Sequence, residues 1–166
     1  MCMKNQTKIT AEPGRQELFI TREFEAPPEM VFKAFTIPEW LAQWMLPAEQ
    51  NMRVDFMDYK TGGSYRFILS NINGRDIGIF GVVHEVSAPE RIIRTFEYEG
   101  LPERGHLALE KTVFETLPGE RTKVTIQFIC ESVEYRDGLV NSGMEKHTSE
   151  SHKKLDELLA KSNATN

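Results

Sequence analysis

The sequence predicts an α+β fold: a curved antiparallel sheet of about seven strands wrapped on one long C-terminal helix, with two short helices after the first strand. Three observations carry that prediction. Residues 52–132 alternate apolar and polar side chains in runs broken by turn residues, the signature of strands joined in a meander. Prolines at 27, 28, 38 and 47 bracket two short stretches with helical spacing. From about Ser132 to Lys161 the apolar period changes to three and four.

Residues 1–16 are polar and read as a mobile N-terminal tail. "ELFITREFEA" (17–26) alternates and begins the domain, which is expected to run over 17–161 with a short tail at 162–166. "PPEMVFKAFT" (27–36) opens with prolines that suit a first helical turn, and Met30, Val31, Ala34 and Phe35 recur at helical spacing. Pro38 starts a second helix and Pro47 limits it. Both tryptophans of the chain, Trp40 and Trp44, fall within it at i and i+4, on one face.

Strand candidates follow at 52–59, 64–70, 77–87, 91–99, 106–117 and 123–132. "TGG" (61–63), "NING" (71–74) and "PGERT" (118–122) supply the turn chemistry between some of them. Gly81 inside a strand points to a bulge or a close backbone approach. The last segment carries Leu139, Val140, Gly143, Met144, His147, Ser151, Leu155, Leu158 and Leu159 along one stripe and reads as one helix. Only that helix is large enough to cover the buried face of the sheet. A cavity between them, closed at one end by the short helices, is the expected result.

The composition bounds the function. A chain of 166 residues with 40% hydrophobic side chains fits a single domain with a real core. Its formal net charge of −5 and lack of a basic patch exclude a phosphate-binding surface, so no nucleic-acid partner is expected. The apolar runs are too short for membrane insertion, the start has no secretory pattern, and a cytoplasmic location is expected. Cys2 lies in the tail, and Cys130 reads as a small core residue; two isolated thiols form neither a zinc pattern nor a disulfide framework.

Four ordered blocks carry a resemblance: "REFEAPPEMVFKAFTIPEWLAQWMLP", "DYKTGGSYRF", "GVVHEVSAPERI" and "SGMEKHTSESHKKLDELL". Together they resemble the activator of heat shock protein 90 ATPase homologue-like family of the START-like (SRPBCC, Bet v 1-like) superfamily. The match covers about residues 17–161. It implies the helix-grip fold and a cavity between sheet and long helix, and it implies little about function, because this fold hosts binders, cyclases, dehydratases and resistance proteins. The eukaryotic co-chaperone that names the family carries an additional N-terminal domain, where this chain has a short polar tail, so a heat shock protein 90 partner is not expected. Similar members often read "GMEEGW" where this chain reads "GMEKHT" (143–148). Thr148 then replaces a tryptophan, and a larger or more polar pocket follows if that position faces the cavity.

No catalytic set is legible. His84, His106, His147 and His152 form no metal-ligand spacing, and no GxSxG, Walker A or GxGxxG motif is present. No metal and no cofactor are expected. His147 either lines a cavity or makes an ordinary helix–sheet contact. Arg66 and Glu110 lie in otherwise apolar strands; Arg66 is expected to face solvent, opposite Tyr65, Phe67 and Leu69. Arg94 shares a face with Ile92 and Phe96; it either anchors an acidic ligand head group or forms a rim or surface ion pair. The tryptophans are either core plugs or part of a pocket mouth, with Trp40 inward and Trp44 at the rim.

The reading favoured is a module that binds a small apolar or amphipathic ligand. Its expected cavity liners are Tyr65, Phe67, Phe96, Val113, Ile126, Phe128, Met144 and His147, with Trp44 at the mouth. The alternatives are an enzyme of cyclase, dehydratase or hydrolase type in the same cavity, with His147 or a carboxylate as base, and a chaperone-associated or other protein-interaction module. A homodimer stays open.

Overall fold

The computed structural model describes residues 5–47, 50–70 and 74–164. In chain order the elements are β1 (Lys8–Thr10), β2 (Glu17–Phe24), α1 (Pro28–Thr36), α2 (Pro38–Trp44), β3 (Asn51–Met57), β4 (Ser64–Ser70), β5 (Asp76–Ser87), β6 (Arg91–Tyr98), β7 (Leu107–Leu117), β8 (Arg121–Cys130), α3 (Val133–Asn141) and α4 (Met144–Ala164). The strands form one antiparallel sheet in the order β1-β2-β8-β7-β6-β5-β4-β3. The meander β3–β8 is therefore local, and β2 docks on β8 from the far end of the chain, with Leu18 opposite Phe128 and Ile20 opposite Ile126. The α+β helix-grip architecture is the one the sequence predicts.

Three expectations are corrected. Among the described residues the sheet has eight strands rather than about seven, because Lys8–Thr10 pairs with Thr21–Phe19. A strand of three residues is too short to display alternation, so the lead-in over 1–16 reads as tail until its edge pairing is seen. Its neighbour Thr7 is buried and hydrogen-bonded to His152. The C-terminal helix is two helices, not one. Ser132 caps α3 by accepting from the Tyr135 backbone N–H at 3.0 Å. Gly143, at φ +89°, then turns the chain between α3 and α4, in a region costly for any residue with a Cβ. Finally α4 continues to Ala164, past the helix end expected at about Lys161. Cys2 and most of the 71–74 turn lie outside the described residues.

The concave face of the sheet is the core face. Leu18, Ile20 and Phe24 of β2, Phe114 of β7, and Val124 and Ile126 of β8 meet Leu155 and Leu159 of α4 there. Cys130 belongs to the same core. Curvature comes from bulges at Val54/Phe56 and Val83/Glu85. Gly81 marks a close approach: a Cβ there would lie 2.0 Å from the Thr95 carbonyl oxygen. Two arginines tie helices to the sheet. Arg22 of β2 forks onto Asp156 of α4, and Arg136 of α3 donates to the carbonyls of Glu12 and Glu17.

Candidate functional site

A cavity of about 290 Å³ opens between the concave face of the sheet, α2, α3 and α4. Its floor is the centre of the sheet, where cross-strand register sets neighbours: Arg94 on β6 faces Glu110 on β7, which faces Phe128 on β8. Ile92, Thr112 and Ile126 form the adjoining row. One wall is α4, which turns Met144, His147, Thr148, Ser151 and His152 toward the cavity at helical spacing. The rim is the segment after α2, held against α4 by two hydrogen bonds. Ser151 Oγ donates to the Met45 carbonyl at 3.0 Å, and Lys154 Nζ donates to the Leu46 carbonyl at 2.7 Å.

The tryptophans answer to local backbone chemistry. In a continuous helix the Ala34 carbonyl would accept from the N–H of residue 38, but that residue is proline and has none. The indole N–H of Trp44 takes the vacant place, donating to Ala34 O at 2.9 Å. Trp44 is consequently buried, against Phe35 with ring centroids 4.8 Å apart, and Trp40 is the half-buried member. The expected order of Trp40 inward and Trp44 at the rim is thus reversed: Trp44 forms inner wall.

Of the residues expected to line the cavity, Trp44, Phe96, Ile126, Phe128, Met144 and His147 border it. His147 is exposed and stands at the opening. Tyr65 and Phe67 are fully buried, yet they lie behind Arg94, whose guanidinium carbon sits 4.5 Å from the Tyr65 ring centroid and 5.8 Å from that of Phe67. Val113 is on the other face of β7, because the inward residues of that strand are Ala108, Glu110, Thr112 and Phe114. Thr148, the position marked by the resemblance, does border the cavity.

The polar end of the floor was not assembled by sequence reasoning. Arg94 and Glu110 are each 7% exposed. Arg94 Nε and Nη2 donate to the Glu110 carboxylate at 3.0–3.2 Å, and Nη1 donates to the Tyr59 hydroxyl. Arg94 thus forms an ion pair with Glu110, but a buried one on the cavity floor and not the rim or surface pair expected. Burial works against the Arg94 charge, but the carboxylate beside it outweighs that and the guanidinium is held firmly protonated. Burial also raises the Tyr59 and Tyr98 phenols above their ordinary value, so both stay neutral. Tyr59 closes the strand candidate 52–59, but β3 ends at Met57, so the alternation of that strand does not place it here. Arg66, by contrast, is only half-buried on the opposite face, paired with Glu99 and Asp55.

The second polar group is His152. Burial and the nearby Arg22 charge push it down to about 3, so it is neutral near pH 7, and its Nδ1 is 2.7 Å from Thr7 Oγ1. A base that weak, already hydrogen-bonded, is a poor proton acceptor. Among the described residues no group of three or more His, Cys, Asp or Glu side chains is placed to hold a metal ion.

The sequence matches the family model of the Activator of Hsp90 ATPase homolog 1-like proteins over residues 25–160. The chain belongs to this family. Solved structures share the fold of this Hsp90-activator-homologue-like chain. A Rhodobacter sphaeroides protein is 27% identical, with a TM-score of 0.82 over 92% of this chain and 98% of its own. An Arthrobacter aurescens protein is 20% identical, with a TM-score of 0.83 over 93% and 91%. The AHSA1 protein of Silicibacter pomeroyi is 21% identical, with a TM-score of 0.71 over 87% and 97%. The last two, at their identities, speak to fold alone. No curated protein matches the chain significantly. Among the described residues no helix is long and apolar enough to cross a membrane.

Proposed function

We propose that this member of the family binds a small, mostly apolar molecule in the cavity between the sheet and the C-terminal helices. The observation that carries the reading is the cavity itself: about 290 Å³, walled by Trp44, Ile92, Phe96, Ile126 and Phe128, with a few polar groups converging at one side. That volume stands at the lower end of small-molecule sites, and a greasy wall with sparse polar groups is their usual composition. Binding is favoured over catalysis because the two buried charges, Glu110 and Arg94, are paired with each other, and His152 is too weak a base.

The test is native mass spectrometry of gently purified protein, followed by titration with the neutral fluorophore N-phenylnaphthylamine. Thr148→Trp, which places an indole in the cavity, serves as the filled control. A co-purified small molecule, or saturable probe binding weakened at least tenfold in Thr148→Trp, supports the reading. A clean apo mass with no saturable binding removes it.

A further inference from the structure

We infer that the ligand carries an uncharged hydroxyl, as an alcohol or phenol, and presents it to the Arg94–Glu110–Tyr59 cluster on the cavity floor. This rests on the cavity-binding reading above and names the chemical class that reading leaves open.

The argument starts from what the cluster has left to offer. Arg94 and Glu110 both border the cavity, and each neutralises the other through Nε and Nη2. The net charge presented to a ligand is therefore zero. A ligand carboxylate or phosphate attracted by the guanidinium would meet the Glu110 carboxylate a few ångströms away. With both groups 7% exposed, like charges at that range repel strongly. A ligand ammonium would meet Arg94 in the same way. Neither ion fits.

A hydroxyl does fit, because both halves of its hydrogen bonding are available. Glu110 Oε2 is filled by Arg94 Nε and Nη2, but Oε1 takes only the Nη2 bond and keeps a lone pair, so it accepts a hydrogen bond from the ligand hydroxyl. The Tyr59 oxygen accepts from Arg94 Nη1, which leaves its own O–H free to donate back. The phenol stays protonated, since burial raises its pKa. Thr112, in register with Ile92 beside the cluster, adds a second hydroxyl on the floor. Around these groups stand Ile92, Phe96 and Phe128, which suit a hydrocarbon body. A donor and an acceptor side by side at the base of an apolar cavity select a molecule that is greasy except for one group able to do both.

The geometry is held from behind. The guanidinium carbon sits over the Tyr65 ring at 4.5 Å and near the Phe67 ring at 5.8 Å, and Tyr65 Oη donates to the Thr95 carbonyl at 2.6 Å. The pair therefore cannot swing away to meet an anion without leaving its aromatic support.

The test compares three probes of matched shape by calorimetric titration: naphthol, methylnaphthalene and naphthoate. The wild-type protein is expected to bind naphthol about tenfold or more tightly than methylnaphthalene, as a hydrogen bond to a charged acceptor would give, and to bind naphthoate most weakly. Tyr59→Phe, which keeps the ion pair, should reduce the naphthol preference several-fold. Glu110→Gln, which frees Arg94, should invert the order and make naphthoate the tightest. Equal affinity for naphthol and methylnaphthalene overturns the hydroxyl inference while leaving the cavity reading standing. Tightest binding of naphthoate by the wild-type protein also overturns it, in favour of an acidic ligand. Absence of saturable binding for all three overturns the cavity reading, and the inference with it.

Discussion

Thr7 and His152 stand 145 positions apart in sequence and share a buried hydrogen bond of 2.7 Å between Oγ1 and Nδ1. The bond joins the segment before β1 to the middle of α4, beside Phe24 and Trp44. It also fixes His152 as a neutral group in a place that opposes its charging.

Acidification should therefore destabilise the protein through His152. Its folded value is about 3 against an ordinary 6.5, so below pH 6.5 the unfolded chain takes up a proton that the folded protein refuses. Stability contributed in this way is present above pH 6.5 and is lost as pH falls, by about 2 kcal/mol between pH 7 and pH 5. His106 acts in the opposite sense: hydrogen bonding to Glu131 raises it, so its contribution is present in acid and lost as pH rises. Urea unfolding at the two pH values isolates the effect. His152→Gln should remove about one proton's worth of pH dependence relative to wild type.

Truncating one partner of the floor ion pair should cost more than removing both. Arg94→Met leaves the Glu110 carboxylate buried with no counter-charge and is expected to lower stability by about 3–5 kcal/mol. The double variant Arg94→Met/Glu110→Leu should recover most of that loss. Unfolding free energies of the three proteins decide it, and a double variant no more stable than Arg94→Met would contradict the account.

Trp44→Phe should destabilise beyond its loss of volume, because it leaves the Ala34 carbonyl without a donor. A cost of about 2 kcal/mol is expected, within the range for an orphaned buried acceptor. In the Trp40→Phe background Trp44 becomes the sole tryptophan, and its emission should be blue-shifted and respond to N-phenylnaphthylamine in the cavity it borders.

The two constrained glycines should differ in severity. Gly143→Ala forces an alanine to φ +89° between α3 and α4, at about 1–2 kcal/mol. Gly81→Ala drives a methyl into the Thr95 carbonyl and should cost ~3 kcal/mol, near the upper end for overpacking. Thermal unfolding midpoints give the order directly.

The fold was legible because its signals are long. Seven alternating runs and a change of period specify a sheet gripped by helix, and Gly81 announced its close contact. The site was less legible for an identifiable reason. Picking inward residues by apolarity works where a strand faces packed core, as Leu18, Ile20 and Phe24 do on β2. On β7 the inward row includes Glu110 and Thr112, since it floors a cavity with a polar end, and the same rule selects Val113 on the wrong face. Tyr59 and His152 were out of reach because their roles depend on partners 35 and 145 residues away. The α3–α4 break hid behind an apolar stripe that continues across Gly143.

The placement of β2 beside β8 has a consequence for how the chain is made. Strands β3–β8 pair with sequence neighbours, but Phe24 meets Thr122 and Glu17 meets Ile129. During synthesis at roughly 5–20 residues per second, β2 emerges roughly 5–20 s before its partner. For that interval Leu18, Ile20 and Phe24 have no sheet to join, and contacts of such long range are the slow ones to form. The nascent protein is thus most exposed to mispairing at its first long strand, and the last strand to leave the ribosome is the one that shields it.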